Sequence, residues 1–253
     1  MITIEKIHIS PVKSLGLINR DKVYVSKTGI PEDRRFFLLD DANKLVTQRQ
    51  IGKLTQILSD YCPNSGKLSL QFPDGSTLED TIVSKDTVKV IMWGRRVTGD
   101  ILEGSWSNKL SNYCGRSIRI VQTHKPGTTY DEFPIAIMSK STIEHISNLT
   151  SNKKVFESER FRPTFVLSGC NAYQEDEWIG QKIRIGDQLK VKVVSRDPRC
   201  VITTLNPMTG ERDFDTIRLI LNDRPNLNAA YLGIYGIVDQ AGTVTTNDKV
   251  SIS

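Results

Sequence analysis

Apolar and polar residues alternate through the opening ITIEKIHI, the period of a half-buried strand. KVYVSKTG repeats the alternation and stops at Gly29. RRFFLLDD predicts a third strand with a turn over Asp40 to Asn43, and KLVTQRQ a fourth. GKLSLQFPDGSTLED reads as a hairpin, two short β runs joined at Pro73-Asp74-Gly75. TVKVIMWGRRVTGDIL continues the strand pattern with a break at Gly94. Helix is expected in this half only at QIGKLTQIL and SWSNKLSNYCG.

The polar stretch QTHKPGTTYD, residues 122–131, carries Pro and Gly and is the candidate linker. Beyond it PIAIMS predicts a strand and SKSTIEHISNL a helix. Ser139 or Ser141 can cap that helix, with Glu144 at capping-box spacing from Ser141. FRPTFVLSGC is another strand, and KIRIGDQLKVKVVS a strand pair around Gly186-Asp187. Residues 196–213 read as loop, and GIYGIVDQAGTVTTNDKVSIS as two closing strands. Many short strands at close spacing argue for barrels or sandwiches. The chain is therefore expected to be β-rich α+β, in two halves, 1–121 and 122–253, with no internal repeat.

Composition narrows the function classes. A 253-residue chain with 38% hydrophobic and 25% charged residues can bury a real core and does not read as disordered. No window approaches the ~18 apolar residues of a membrane-spanning helix. The start, MITIEKIHIS, has a charged pair and no apolar core of a signal peptide, so a cytoplasmic location without a membrane anchor is expected. The formal net charge of +5 permits an anionic ligand, but no basic run or basic-aromatic stripe calls for nucleic acid. Cys62, Cys114, Cys170 and Cys200 are far apart, which disfavours a disulfide scaffold and a zinc site.

Three segments carry chemical interest. PVKS, residues 11–14, follows the first strand and places the Lys13 ammonium and the Ser14 hydroxyl at its end, a suitable phosphate or carboxylate contact; the alternative is a solvated surface lysine. Arg34, Arg49 and Arg162 punctuate apolar neighbourhoods, where a half-buried guanidinium needs an anionic partner. That partner is either a ligand phosphate or planar heterocycle, or a structural acid such as Asp33 or Glu159. SRDPRCVITTLNPMTG sets Cys200 just after two arginines, Arg196 and Arg199, and positive neighbours favour the thiolate, the nucleophilic and metal-ligating form. Thr203 and Thr204 add hydroxyl donors, while the bland reading of Cys200 is a small buried hydrophobe.

Taken in order, PVKS, DRRFF, TQRQ, DEFPIAIMS, FRPTFVLSGC, EDEW, IGD, RCVITTLNPMTG and GIYGIV resemble the MOSC family, specifically its longer members with an N-terminal β-barrel half. These are similar to the amidoxime-reducing molybdenum enzymes of mitochondria and their bacterial relatives. The resemblance implies an N-terminal β-barrel-like domain over 1–121 and a MOSC β-barrel over 122–253. It implies a molybdenum cofactor, a pterin dithiolene with a terminal phosphate, whose metal is completed by a protein cysteine at the position of Cys200. Thiolate is a suitable soft ligand for such a metal. Lys13, Ser14, Arg34 and Arg162 fall on cofactor phosphate and pterin contacts, and Arg49, Thr164 and Arg199 on the cofactor pocket. Asp131 falls on an acidic position near the active site, for proton handling or substrate orientation; its alternative is a turn-capping Asp before Pro134.

The implied reaction is two-electron reduction of a small N-hydroxylated compound, such as an amidoxime or hydroxylamine. Electrons would come from a separate ferredoxin- or cytochrome b5-like donor with its reductase. The sequence departs from the family pattern at several points. Thr164 stands where Asn is common, Glu132 and Phe133 where small hydroxylic residues occur, and Pro198 where a Ser can occur. The stretch DTIRLILNDRPNLNAA leaves little room for a long helix. Two other readings compete. In one, Cys200 carries sulfur in a non-redox carrier or cofactor-binding module. In the other, the chain is a β-barrel that binds an anionic ligand such as a nucleotide, without need of Cys200.

Overall fold

The structure, a computed structural model, describes residues 1–151 and 154–252. Eighteen strands and four α-helices alternate along it. The first strands are β1 (Thr3–Ile9), β2 (Ile18–Asn19), β3 (Lys22–Val25), β4 (Phe36–Leu39) and β5 (Leu45–Val46). Next come β6 (Leu58–Cys62), β7 (Lys67–Gln71), β8 (Thr77–Thr81), β9 (Val83–Met92), β10 (Arg95–Glu103), helix α1 (Ser105–Cys114) and β11 (Arg119–Thr123). Then follow β12 (Ile135–Ser139), α2 (Lys140–Asn148), α3 (Ser158–Phe161), β13 (Phe165–Ser168), β14 (Lys182–Ile185) and β15 (Leu189–Pro198). The chain closes with α4 (Thr216–Asp223), β16 (Tyr231–Gln240), β17 (Gly242–Thr245) and β18 (Val250–Ile252). The fold is β-rich α+β and built of curled, barrel-forming sheets. Among the described residues no helix is long and apolar enough to cross a membrane.

An eight-stranded sheet runs β18-β14-β15-β16-β12-β13-β1-β2, and a five-stranded sheet runs β5-β4-β11-β10-β9. The first is filled by Ile4, Ile7, Ile137, Phe165, Val191 and Ile234. Ile4 and Ile7 lie an odd number of residues apart yet both point inward, because a bulge between Ile4 and Lys6 shifts the phase of β1. In β4 all four residues are buried, which explains why FFLL does not alternate. Phe36 and Leu38 pack with Trp106 and Leu110, whereas Phe37 and Leu39 pack with Met92, Val97 and Val121.

Chain position and sheet membership divide the molecule differently. The boundary at 121/122 falls inside β11, and β1 pairs antiparallel with β13 inside the sheet of the second half. The edge strand β3 pairs with β17, Val25 opposite Gly242. The loop after β1 is thereby fixed between both halves.

Several local expectations are corrected. KLVTQRQ keeps only two residues of strand, because Gln50 Oε1 accepts from the Thr47 amide and hydroxyl and turns the chain. QIGKLTQIL forms a short 3-10 helix, Gly52–Gln56, rather than an α-helix. The 122–131 stretch is no free linker. Thr123 continues β11 and hydrogen-bonds Thr128 through their hydroxyls, and the Thr129 hydroxyl donates to the Arg34 carbonyl. Ser139 caps α2 by accepting from the Thr142 amide, while Ser141 donates to the Cys170 carbonyl, so no capping box forms at Ser141. The C-terminal segment contains three strands, not two, since β16 and β17 part at Ala241.

Candidate functional site

The loop after β1 is shaped by its own backbone groups. The Ser10 amide donates to Asp33 Oδ1 at 2.7 Å and the Ser10 hydroxyl to the Val12 carbonyl at 2.9 Å. Pro11 turns the chain, and the Lys13 amide then donates to the Phe36 carbonyl at 2.8 Å. Ser14 is held at φ 76° and Arg34 at φ 49°, so both sit in the left-handed region that side chains rarely adopt. Arg34 pairs with Asp33, the structural acid weighed as its alternative partner. Lys13 Nζ pairs with Asp131 Oδ1 at 2.8 Å, a contact spanning 118 residues of chain.

Arg162 caps α3 at φ 55° and half-buries its guanidinium beside Arg34 and Asp131. Glu159, proposed above as its partner, instead meets Lys6 at 3.5 Å and His8 at 4.0 Å. Among the described residues nothing accepts a hydrogen bond from the Arg162 side chain. Burial and the neighbouring Arg34 charge lower its pKa to about 10, so it remains a cation at neutral pH.

Cys200 opens a short 3-10 helix, Val201–Thr204. The Thr203 hydroxyl donates to the Cys200 carbonyl at 3.1 Å and the Thr204 hydroxyl to Val201 at 2.7 Å, so both threonines brace the loop itself. Buried Arg160 donates to the Thr203 and Leu205 carbonyls and pairs with Asp213 at 2.8 Å. The NPMTG turn presses on the TQRQ loop: a Cβ on Gly52 would lie 1.9 Å from the Gly210 carbonyl, which only glycine permits.

The cations around the thiol are not those adjacent in sequence. Arg196 is taken by Asp176 at 2.8 Å. Arg199 lines the cleft wall, yet its guanidinium serves the Leu232 and Phe161 carbonyls and Asp197. The group that reaches the sulfur is Arg49, with Nη2 at 3.5 Å from Sγ and its guanidinium stacked on Trp93.

One cleft of about 260 Å³ gathers Arg34, Arg49, Asp131, Arg162, Thr164, Arg199 and Cys200. An inner recess of about 30 Å³ shares Arg34, Asp131 and Arg162 with it and adds Lys13 and Ser14. Thr164 accepts from the Ala136 amide at 3.2 Å and keeps its hydroxyl proton to donate. Thus Lys13, Ser14, Arg34, Arg49, Asp131, Arg162, Thr164, Arg199 and Cys200 meet in a single site, supplied by both halves, while Arg196 lies outside it.

Two carboxylates on its walls are in opposite states. Burial raises the Asp131 pKa, but Lys13, Arg34 and Arg49 outweigh burial and hold it well below the usual carboxylate range. Asp197, 3% exposed, is pushed up to about 7 by burial, against the pull of Arg199 and of a hydrogen bond from Tyr235. Asp197, Tyr235 and Trp93 line the cleft and were not singled out by sequence. The only sequence signals were an acid three residues before Cys200 and a Trp-Gly pair at a strand break.

Residues 1–117 match the MOSC N-terminal beta barrel domain and residues 107–251 the MOSC domain. The chain is similar to mitochondrial amidoxime-reducing component 1 of Xenopus laevis, 25% identical over 98% of this chain and 81% of that protein. Mitochondrial amidoxime reducing component 2 of Homo sapiens is 27% identical over 98% of this chain and 82% of that protein. Molybdenum cofactor sulfurase of Caenorhabditis elegans is 25% identical over 92% of this chain, which spans 33% of that protein.

Proposed function

This chain belongs to the MOSC family, and we propose that its cleft binds a molybdenum cofactor and reduces small N-hydroxylated compounds. The observation that carries the reading is the meeting of an anion-accepting recess and the Cys200 thiol in one cleft. In the recess Lys13, Arg34, Arg49 and Arg162 face Asp131, with Asp33 paired to Arg34 beside it. The surplus of two positive charges matches a phosphate monoester, which carries about −2 at neutral pH. The unpartnered Arg162 fork fits a phosphate oxygen pair or a planar pterin edge. The donor set therefore fits the cofactor: Lys13, Ser14, Arg34 and Arg162 would hold phosphate and pterin, and Cys200 would ligate the metal as a soft thiolate.

When bound, the cofactor supplies two electrons and a soft metal site at the N–O bond. That bond breaks, two electrons and two protons are taken up, and oxygen leaves as water. The electrons reach the site from a separate one-electron carrier, ferredoxin- or cytochrome b5-like. Asp131, held ionised by its cations, orients Lys13. The proton for the departing oxygen is held at Asp197, whose pKa lies near the operating pH and whose carboxyl shares a hydrogen bond with the Tyr235 hydroxyl. Arg160 keeps the Cys200 loop rigid through its two carbonyl contacts.

The test is molybdenum and pterin content of protein made in a host that synthesises the cofactor, with benzamidoxime reduction by a chemical electron donor. Stoichiometric molybdenum, lost in Cys200→Ser together with activity, is the expected result. The similarity to a cofactor sulfurase favours a second reading. Metal-free protein with a labile sulfur on Cys200 would overturn the reductase reading in favour of a sulfur carrier.

A further inference from the structure

The β9–β10 hairpin is closed by a two-residue turn, Trp93-Gly94, with Met92 opposite Arg95. Trp93 has φ 50° and Gly94 φ 80°, the left-handed pair that such turns require. Asn-Gly fills this position without strain, and a bulky indole does not. The ring is nevertheless 45% exposed and unburied by any core. It stands on the rim of the cleft, with the Arg49 guanidinium carbon 4.6 Å from its centroid. The same guanidinium reaches Cys200 Sγ at 3.5 Å. Tyr130, beneath Arg95 at 4.8 Å, and Phe133 line the same cleft. An aromatic rim with guanidinium groups stacked on two of its rings accommodates a flat π system by stacking and cation–π attraction.

We propose that Trp93, backed by Arg49, is a specificity-determining platform that selects planar aromatic N-hydroxylated substrates, stacking the ring while the N–O group faces Cys200. The proposal rests on the reductase reading and adds the substrate class to it. A strained tryptophan at a turn has no folding advantage over asparagine, and its one chemical distinction is the ring placed beside the thiol-bearing cleft.

Trp106 and Trp178 are each 1% exposed, so Trp93 is the tryptophan of the three that acrylamide quenches. In purified full-length protein, benzamidoxime should shield this fluorescence from acrylamide, and acetamidoxime at equal concentration should not. Trp93→Asn should lower the ratio of kcat/KM for benzamidoxime over acetamidoxime about tenfold, and Trp93→Phe should keep most of the ratio. Asn suits the turn better than Trp, so the hairpin survives the change. An unshielded Trp93, or an equal loss for both substrates, overturns the platform. So does loss of molybdenum from Trp93→Asn, which would place the ring on the cofactor. If the wild-type chain reduces neither amidoxime, the reductase reading fails instead, and the shielding measurement still decides whether the ring stacks a planar amidoxime.

Discussion

The cleft has an anion end and a thiol end, and a carboxylate at each is treated oppositely. At the anion end, Asp131 keeps 49% of its side chain open and faces Lys13, Arg34 and Arg49. At the thiol end, Asp197 is 4% open along its side chain and has one close cation, Arg199, while the charges of Asp131 and Glu132 add to the effect of burial. Cations win at the first end and desolvation wins at the second. Proximity to a reactive site therefore does not make a carboxyl an acid; the balance of charge and burial around it does. Asp131, the residue that resembles the family's acidic position, is held ionised by its cations, and the carboxyl whose pKa lies near 7 is one the sequence did not bring forward.

The largest effect should come from Cys200→Ser, which removes the soft ligand and abolishes amidoxime reduction and molybdenum retention together; retained metal would detach Cys200 from the thiol end's role. Asp197→Asn should lower the rate by ~100-fold and erase the fall in activity above about pH 7, since an acid of that pKa is protonated only below it. Asp131→Asn should leave that alkaline limb in place. If the limb instead disappears with Asp131, the assignment of the two carboxylates is reversed.

Arg162→Ala should reduce cofactor retention by roughly 10- to 100-fold, the worth of a charge-assisted contact, read as molybdenum per protein after dialysis. Unchanged retention would remove Arg162 from the anion end.

The smallest effect concerns stability. Asp197 binds its proton more tightly folded than unfolded, so its contribution is complete below about pH 4 and is lost as pH rises to about 7. The difference in Tm between wild type and Asp197→Asn should thus change across pH 4 to 7 and be flat above it. His8 has the opposite sign: burial lowers its pKa to about 4, so its term favours the folded state increasingly as pH rises from 4 to 6.5. Subtracting the variant isolates Asp197 from it. A difference that does not vary with pH would mean that Asp197 stays ionised.

Much of the fold was legible because it is locally encoded. The alternation in β1 and β3, the PDG turn between β7 and β8, and the strand pair around Gly186-Asp187 are each specified by a few neighbouring residues. The misses are places where specific hydrogen bonds and backbone packing overruled the hydrophobic pattern. Gln50 turned a strand at Thr47, and Gly52, pressed against Gly210, opens a 3-10 helix where an α-helix was expected. Within the site, residue types in motif order brought forward Lys13, Arg34, Arg162 and Cys200, but the charge given to the thiol by Arg196 and Arg199 followed from adjacency; Arg196 is bound by Asp176 and Arg199, in the cleft wall, by Asp197.

The sequence by itself determined the strand-rich class, the order of the motifs and the chemical types available: one thiol in a turn-rich loop, a set of scattered cations and several acids. Only the tertiary structure decided which of them meet. Arg49 reaches Cys200 across 151 residues and Lys13 reaches Asp131 across 118, because β1 and β3 hydrogen-bond into the sheets of the second half. Periodicity reports on residues one turn or one pleat apart. A protonation state depends on burial and on charges a few ångströms away, which chain separation does not encode.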